Sequence, residues 1–334
     1  MKILINCPVP FMLAHGGAQI QIEQTLAALK NIGVEAEPLR WWDGSQTGNL
    51  IHYFGRMNAD NIRLAQQKGI KIVIAELLTA QGSRSPAQLR ARRFITRAAR
   101  SFAPGLASYI FNHRPYELAD AAIALTPWEA HLMCYLFDAP KERVHVVGNG
   151  VEQEFLDSPA VERGKWLVCT TTITERKRVL ELAQAAVQAQ TPVWIIGKAY
   201  ADTDPYAQQF FALAKQHPQI LRYEGAISDR AKLARIYREA RGFALMSTME
   251  SLSLSALEAA ACECPLLLSD LPWARSTFGN QATYCPITQS TGPTANVLRK
   301  FYDAAPTLPL PPKPPTWNEI GRQLKALYER VLNP

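Results

Sequence analysis

The sequence predicts an α/β protein built from two doubly wound, Rossmann-like units. Three observations carry this expectation. Short apolar runs of strand length alternate with helical segments, the pattern of parallel sheets covered on both faces. That alternation starts afresh after Gly164. The 334 residues are enough for about two domains, each able to bury its own core. Two such units in tandem are expected to leave a cleft between the carboxyl ends of their strands, where open α/β sheets bind ligands.

In the first half, Lys2–Asn6 reads as a strand. Gly16-Gly17 opens a helix over 18–32, with Ile22, Leu26 and Leu29 at helical spacing, and Gly33 closes it. Lys71–Ala75 and residues 121–125 are further apolar strands, and Pro127 sits early in the helix that follows. A strand over 144–147 ends at the turn signal Asn149-Gly150.

In the second half, strands are expected at 166–170, Val193–Ile196, Leu221–Tyr223, 243–246 and 266–268. Helices are expected at 178–189, 210–215, 232–240 and 254–262, the last stopped by Pro265. Residues 305–315 hold six prolines, a stiff extended connector. It leads to an amphipathic helix, Trp317–Leu332, with Ile320, Leu324, Leu327, Tyr328 and Val331 on one stripe. No internal repeat is visible.

Apolar residues make up 48% and charged residues 19%, which sets aside disordered and collagen-like classes. No apolar run has the roughly 18 residues of a membrane span. The opening MKILINCPVPFML has one basic residue and two prolines, so it reads as a first strand rather than an export signal. The six cysteines show no Cys-x-x-Cys and no histidine cluster, which disfavours structural zinc and suits reduced thiols in a cytoplasmic protein.

The net charge of +7 is unevenly placed. Residues 77–116 contain seven arginines, one glutamate-free and lysine-free stretch before Glu117, including Arg90, Arg93, Arg97 and Arg100. Phe94, Ile95, Phe102, Leu106 and Ile110 are interleaved with them. Such a segment can lie on an anionic membrane, present a solvated arginine face, or line a pocket for an anionic acceptor. Nucleic acid is not expected, because the basic region is confined and no recognition motif accompanies it.

Four groups of residues could carry chemistry. Gly16 and Gly17 follow the first strand, where glycine lets the backbone approach a phosphate at a helix start; a plain tight turn is the alternative. Arg176-Lys177-Arg178 lie past the strand that opens the second unit, where cations suit phosphate better than they suit a helix N-terminus. Glu250 and Glu258 are eight residues apart. That spacing is weak by itself, since Glu154 and Glu162 repeat it, but Glu250 falls just past a buried-type strand. Between the two, Ser251, Leu252, Ser253 and Leu254 can offer backbone amides to an anion. Asp202 and Asp204 have the spacing of a carboxylate pair, read as a solvated loop rather than a metal site for want of a third ligand. No nucleophile elbow is readable.

Taken in order, these pieces resemble family four of the retaining glycosyltransferases, which have the GT-B fold. Ala119-Asp120-Ala121, Val147-Gly148-Asn149-Gly150-Val151 with Phe155, the Glu250-to-Glu258 segment followed by Pro265, and Thr316-Trp317 with its helix match that family's segments. The resemblance spans nearly the whole chain. It implies an acceptor domain over 1–150, completed by a helix from 316–334, and a donor domain over 151–315. It implies transfer of a hexose-type sugar from a nucleotide-sugar to a glycan or lipid-linked saccharide, with retained anomeric configuration and no metal. Glu258 would hold the ribose hydroxyls and Glu250 the donor sugar. Lys177, with Arg176, would neutralise the diphosphate. Asn149, Thr172, Gly16, Gly17 and the amides of Ser251 to Leu254 would complete the donor site.

Three positions depart from the family pattern. Thr172 stands where relatives have an arginine, Glu263 where they have a glycine, and the segment Glu76-Leu77-Leu78-Thr79 lacks the usual histidine. These departures motivate a second expectation, a catalytically degenerate sugar-nucleotide-binding or scaffold protein. The arginine segment motivates a third, a peripheral protein at the inner membrane face.

Overall fold

The computed structural model of the chain describes residues 1–8, 11, 16–102, 105, 110–157 and 161–333. Leu106, named above, lies outside them. The chain divides into two compact units, Met1–Gly150 with Trp317–Pro334, and Val151–Thr316.

The first unit is a six-stranded parallel sheet of β1 (Lys2–Asn6), β2 (Glu35–Pro38), β3 (Leu50–Phe54), β4 (Lys71–Ala75), β5 (Ala121–Ala124) and β6 (Val144–Val146), in the order β2-β1-β3-β4-β5-β6. β1 pairs with β2 on one side and β3 on the other, so the strand order reverses beside it. Its central strands are apolar almost throughout because helices cover both faces, as the wholly buried Ile72, Val73 and Ile74 show.

The helix Trp317–Leu332 belongs to this unit and lies against the helix Gly17–Asn31. Its stripe of Ile320, Leu324, Leu327 and Tyr328 is buried, while Val331 is only partly covered. At Gly321 an added Cβ would stand 3.2 Å from the backbone of Ala28, so glycine sets how closely the two helices approach. Tyr328 Oη lies 2.7 Å from Nδ1 of His52 in β3, a wholly internal contact.

The second unit is a separate six-stranded parallel sheet of β7 (Leu167–Thr170), β8 (Val193–Ile196), β9 (Leu221–Tyr223), β10 (Gly242–Leu245), β11 (Leu266–Ser269) and β12 (Thr283–Cys285). Its order, β12-β11-β10-β7-β8-β9, is that of a doubly wound sheet, with the reversal between β7 and β10. The fold is thus GT-B, a pair of Rossmann-like units. The proline-rich segment begins with a single 3-10 turn, Ala305–Thr307. It then runs alongside the start of the unit, where Val151 N–H donates to the Pro315 carbonyl at 3.0 Å.

Candidate functional site

In the second unit the loops after β7 and β10 leave from neighbouring strands at the point where the order reverses. They are tied together, since Thr248 N–H donates to the Arg176 carbonyl at 2.8 Å. The loop after β7 is braced from the other side, where Thr171 N–H bonds the Ile196 carbonyl and Ile173 N–H the Lys198 carbonyl. Gly197 makes that contact possible. Its φ is +155°, and a Cβ there would fall 1.7 Å from the Thr171 carbonyl oxygen.

These loops bring three of the expected residues together. The Lys177 ammonium donates to Glu250 Oε1, and Arg176 Nη1 stands 3.7 Å from Glu250 Oε2 while donating to the Met249 carbonyl at 2.7 Å. Glu250 is buried, and Lys177 nearly so. Two cations on one carboxylate leave this point positive, a seat for an anion in a half-desolvated setting where charge is poorly screened.

Arg178 turns elsewhere. It adopts left-handed backbone (φ 52°), and its guanidinium donates to the Thr288 carbonyl at 2.6 Å. Arg176 rather than Arg178 therefore stands beside Glu250. Around it, the hydroxyls of Thr171, Thr174 and Ser247 are enclosed without a protein partner among the described residues. Enclosed polar atoms of this kind are ordinarily met by water or ligand.

Glu258 sits in the second turn of the helix Leu254–Ala261, whose start is capped by Ser253 accepting from Ala256 N–H. Ala259, Ala260 and Ala261 are fully buried, so the helix lies close on its neighbours. Glu258 is 4% exposed. Its Oε1 accepts from Arg230 and its Oε2 from the Tyr237 hydroxyl at 3.3 Å. Burial pushes the Glu258 carboxyl above its ordinary range, and Arg230 pulls it back. Arg230 also donates to Glu152 at 2.8 Å and lies over the Phe155 ring. Neither Arg230 nor Glu152 stood out in the sequence.

Further candidates lie in the first unit. Gly16 caps the helix Gly17–Asn31 with φ 146°, a conformation that favours glycine and keeps the helix start bare of side chain. Asn149 is buried. Glu76, at the end of β4, is engaged in structure: Arg56 grips both its oxygens and the Tyr116 hydroxyl donates to it. The arginine segment forms the helix Pro86–Phe102 and splits into two faces. Arg90 and Arg97 point outward with Phe94 and Ile95, 74% and 57% exposed. Arg93 and Arg100 are partly covered and have partners within the protein. Arg93 lies over the Tyr135 ring, and Arg100 pairs with Glu117 and Asp138.

Asp204 is likewise accounted for as the cap of the helix Pro205–Gln216, accepting from two backbone amides. Among the described residues no group of three or more His, Cys, Asp or Glu side chains gathers as a metal site. No described helix is long and apolar enough to cross a membrane.

Comparison with solved structures bears on this fold. HepE from Anabaena, solved with UDP, superposes with a TM-score of 0.69 at 13% identity, covering 99% of this chain and 100% of that one. Sucrose-phosphate synthase from Thermosynechococcus elongatus gives 0.68 at 17% identity, with both chains covered completely. The pneumococcal O-GlcNAc transferase GtfA, solved with UDP and GlcNAc, gives 0.59 at 13% identity over 94% of this chain and 61% of that one. Residues 164–297, which contain every second-unit site residue from Thr172 to Glu258, match the model of the family "Glycosyl transferases group 1". No curated protein is matched by the sequence.

Proposed function

We propose that the protein is a glycosyltransferase that moves a hexose-type sugar from a nucleotide-sugar to a glycan or lipid-linked saccharide, with retained configuration. The observation that carries this is the convergence of Arg176, Lys177 and Glu250 at the strand-order reversal of a unit whose residues 164–297 match a glycosyltransferase model. The similar structures of HepE and GtfA contain UDP, which supports a nucleotide diphosphate as the ligand class.

Breaking the bond from sugar to diphosphate puts negative charge on the leaving phosphate and positive character on the sugar. Lys177 and Arg176 meet the first, exchanging part of their contact with Glu250 for phosphate oxygens. The amides of Ser251 to Leu254 and the enclosed hydroxyls add fixed donors, which stabilise developing charge without reorganising. Glu250 is then placed beside the sugar, and Glu258 accepts from the ribose. Thr172 contributes a hydroxyl in place of a cation, while Gly16, Gly17 and Asn149 are the first unit's own candidate ligand contacts. On the first unit, the outward face with Arg90, Phe94, Ile95 and Arg97 suits an anionic acceptor or the membrane carrying it.

The test is incubation with UDP-, GDP- and ADP-sugars, following nucleotide release, with proton NMR of the product to read the anomeric configuration. Loss of turnover in Lys177→Ala supports the reading. Absence of binding by any donor below millimolar concentration overturns it. Tight binding without turnover on any acceptor selects the sugar-nucleotide-binding protein that Thr172 and the missing histidine suggest.

A further inference from the structure

The Glu258 carboxylate is buried, and a buried carboxylate without a cation takes up a proton. Its charge is held by one arginine. Arg230 reaches Glu258 with one nitrogen and Glu152 with another, and Phe155 lies under its guanidinium plane. Glu152 and Phe155 belong to the segment that opens the second unit, Arg230 begins the helix Arg230–Glu239, and Glu258 belongs to the helix Leu254–Ala261. The guanidinium therefore joins three separate pieces of chain.

Besides Arg230, the described groups that act most strongly on Glu258 are Glu152 and Tyr237, and neither is a cation. Tyr237, on the same helix as Arg230, is held neutral by burial, and Cys262, one turn after Glu258, has its thiol pushed up to about 12. Strands β10 and β11, packed on that helix, bring apolar side chains such as Phe243, Leu245 and Leu266 to the core.

The acceptor count is as telling. A carboxylate offers about four acceptor positions. Arg230 takes one on Oε1 and Tyr237 one on Oε2, so among the described residues each oxygen keeps one acceptor position unused. That pair, one on each oxygen, matches the two neighbouring hydroxyls of a ribose.

We propose that Arg230, steadied by Glu152 and Phe155, is a positioning residue for nucleotide binding: it keeps Glu258 ionised and turned so that both carboxylate oxygens can accept from a vicinal diol. The proposal rests on the reading of the second unit as a nucleotide-sugar site. It touches no phosphate and no sugar being transferred, so it predicts an effect on affinity for the nucleoside rather than on the chemical step.

Two measurements test it. The first uses the free protein. With glutamate side chains carrying a carbon-13 label, the Glu258 carboxyl, assigned by its loss in Glu258→Gln, should stay ionised from pH 6 to 8 in the native chain. In Arg230→Gln it should titrate within or above that window. The second measures UDP, GDP and ADP binding by calorimetry, with the 2′-deoxy form of whichever binds. Arg230→Gln should weaken the ribonucleotide about tenfold or more, most at low pH, and narrow its advantage over the 2′-deoxy form. Arg230→Lys should restore part of both. If Arg230→Gln does not fold, Arg230→Lys and Glu152→Gln are read in its place and should show the same changes in smaller degree.

A Glu258 carboxyl that titrates identically in native and variant chains overturns the proposal. So does an unchanged preference for ribose. If the titration behaves as expected but none of the three diphosphates binds the native chain, it is the nucleotide-sugar reading that fails, and Arg230 is left as a structural counterion.

Discussion

Single residues set the terms of the second unit's site. At Gly197 an added methyl would collide with the Thr171 carbonyl, and neither backbone can yield without breaking the Thr171 and Ile173 hydrogen bonds. Gly197→Ala should therefore destabilise the unit by about 3 kcal/mol or more in urea titration, and weaken nucleotide binding in whatever remains folded. Glu258→Ala should reduce affinity for the nucleotide diphosphate by roughly 1.5–3 kcal/mol, the worth of hydrogen bonds to a charged group, as read by calorimetry. Glu250 and Glu258 were legible in the sequence because one follows an apolar strand and the other lies among alanines. Arg230 was not, because it meets Glu152 across 78 positions and Glu258 across 28. Contacts over such separations obey no spacing rule. The arginine helix shows the same limit in reverse. Composition marked seven cations, but only the placement of Tyr135, Glu117 and Asp138 tells which of them have partners within the protein.

Among the elements, β3 and the helix Trp317–Leu332 share a buried polar contact that responds to acid. His52 has one ring nitrogen on Tyr328 and its Nε2 enclosed with no acceptor among the described residues, and burial lowers it from the ordinary 6.5 to about 3. The neutral ring is the folded form, and the unfolded chain takes up the proton first. Stability from this group is whole above pH 6.5 and is lost as pH falls towards 3, at about 1.4 kcal/mol per pH unit. Between pH 7 and 5 the native chain should lose about 2 kcal/mol that His52→Asn does not lose, measured by urea unfolding at each pH. Elements differed in how plainly they could be read. Long apolar runs such as Lys71–Ala75 gave themselves away. Glu35–Pro38 did not, since an edge strand with one buried residue carries little apolar signal. Leu50–Phe54 is hard to read as a strand although it is mostly buried, its run interrupted by the very histidine that Tyr328 satisfies. Thr291–Ala304 was hidden by Gly292 and Pro293 in its first turn, where proline is in fact tolerated.

For the molecule as a whole, the first unit is made of two stretches of chain far apart in sequence. The helix Trp317–Leu332 buries Trp317, Ile320, Leu324, Leu327 and Tyr328 in it. At about 1.5–3 kcal/mol for each large side chain, that burial is on the order of a domain's entire stability. Ending the chain after Thr316 should leave the second unit folded and the first open to proteolysis and amide exchange, mapped by mass spectrometry. The same division imposes a schedule on biosynthesis. Domains commonly mature in the order in which the ribosome makes them. Here the portion translated first is completed last: a six-stranded sheet rich in valine, isoleucine and leucine must wait, unfinished, until the segment from Trp317 emerges, whereas the portion translated second has all its parts by Thr316. A cell making this protein has a nascent amino-terminal half to shelter, and holding that half soluble is work for its chaperones.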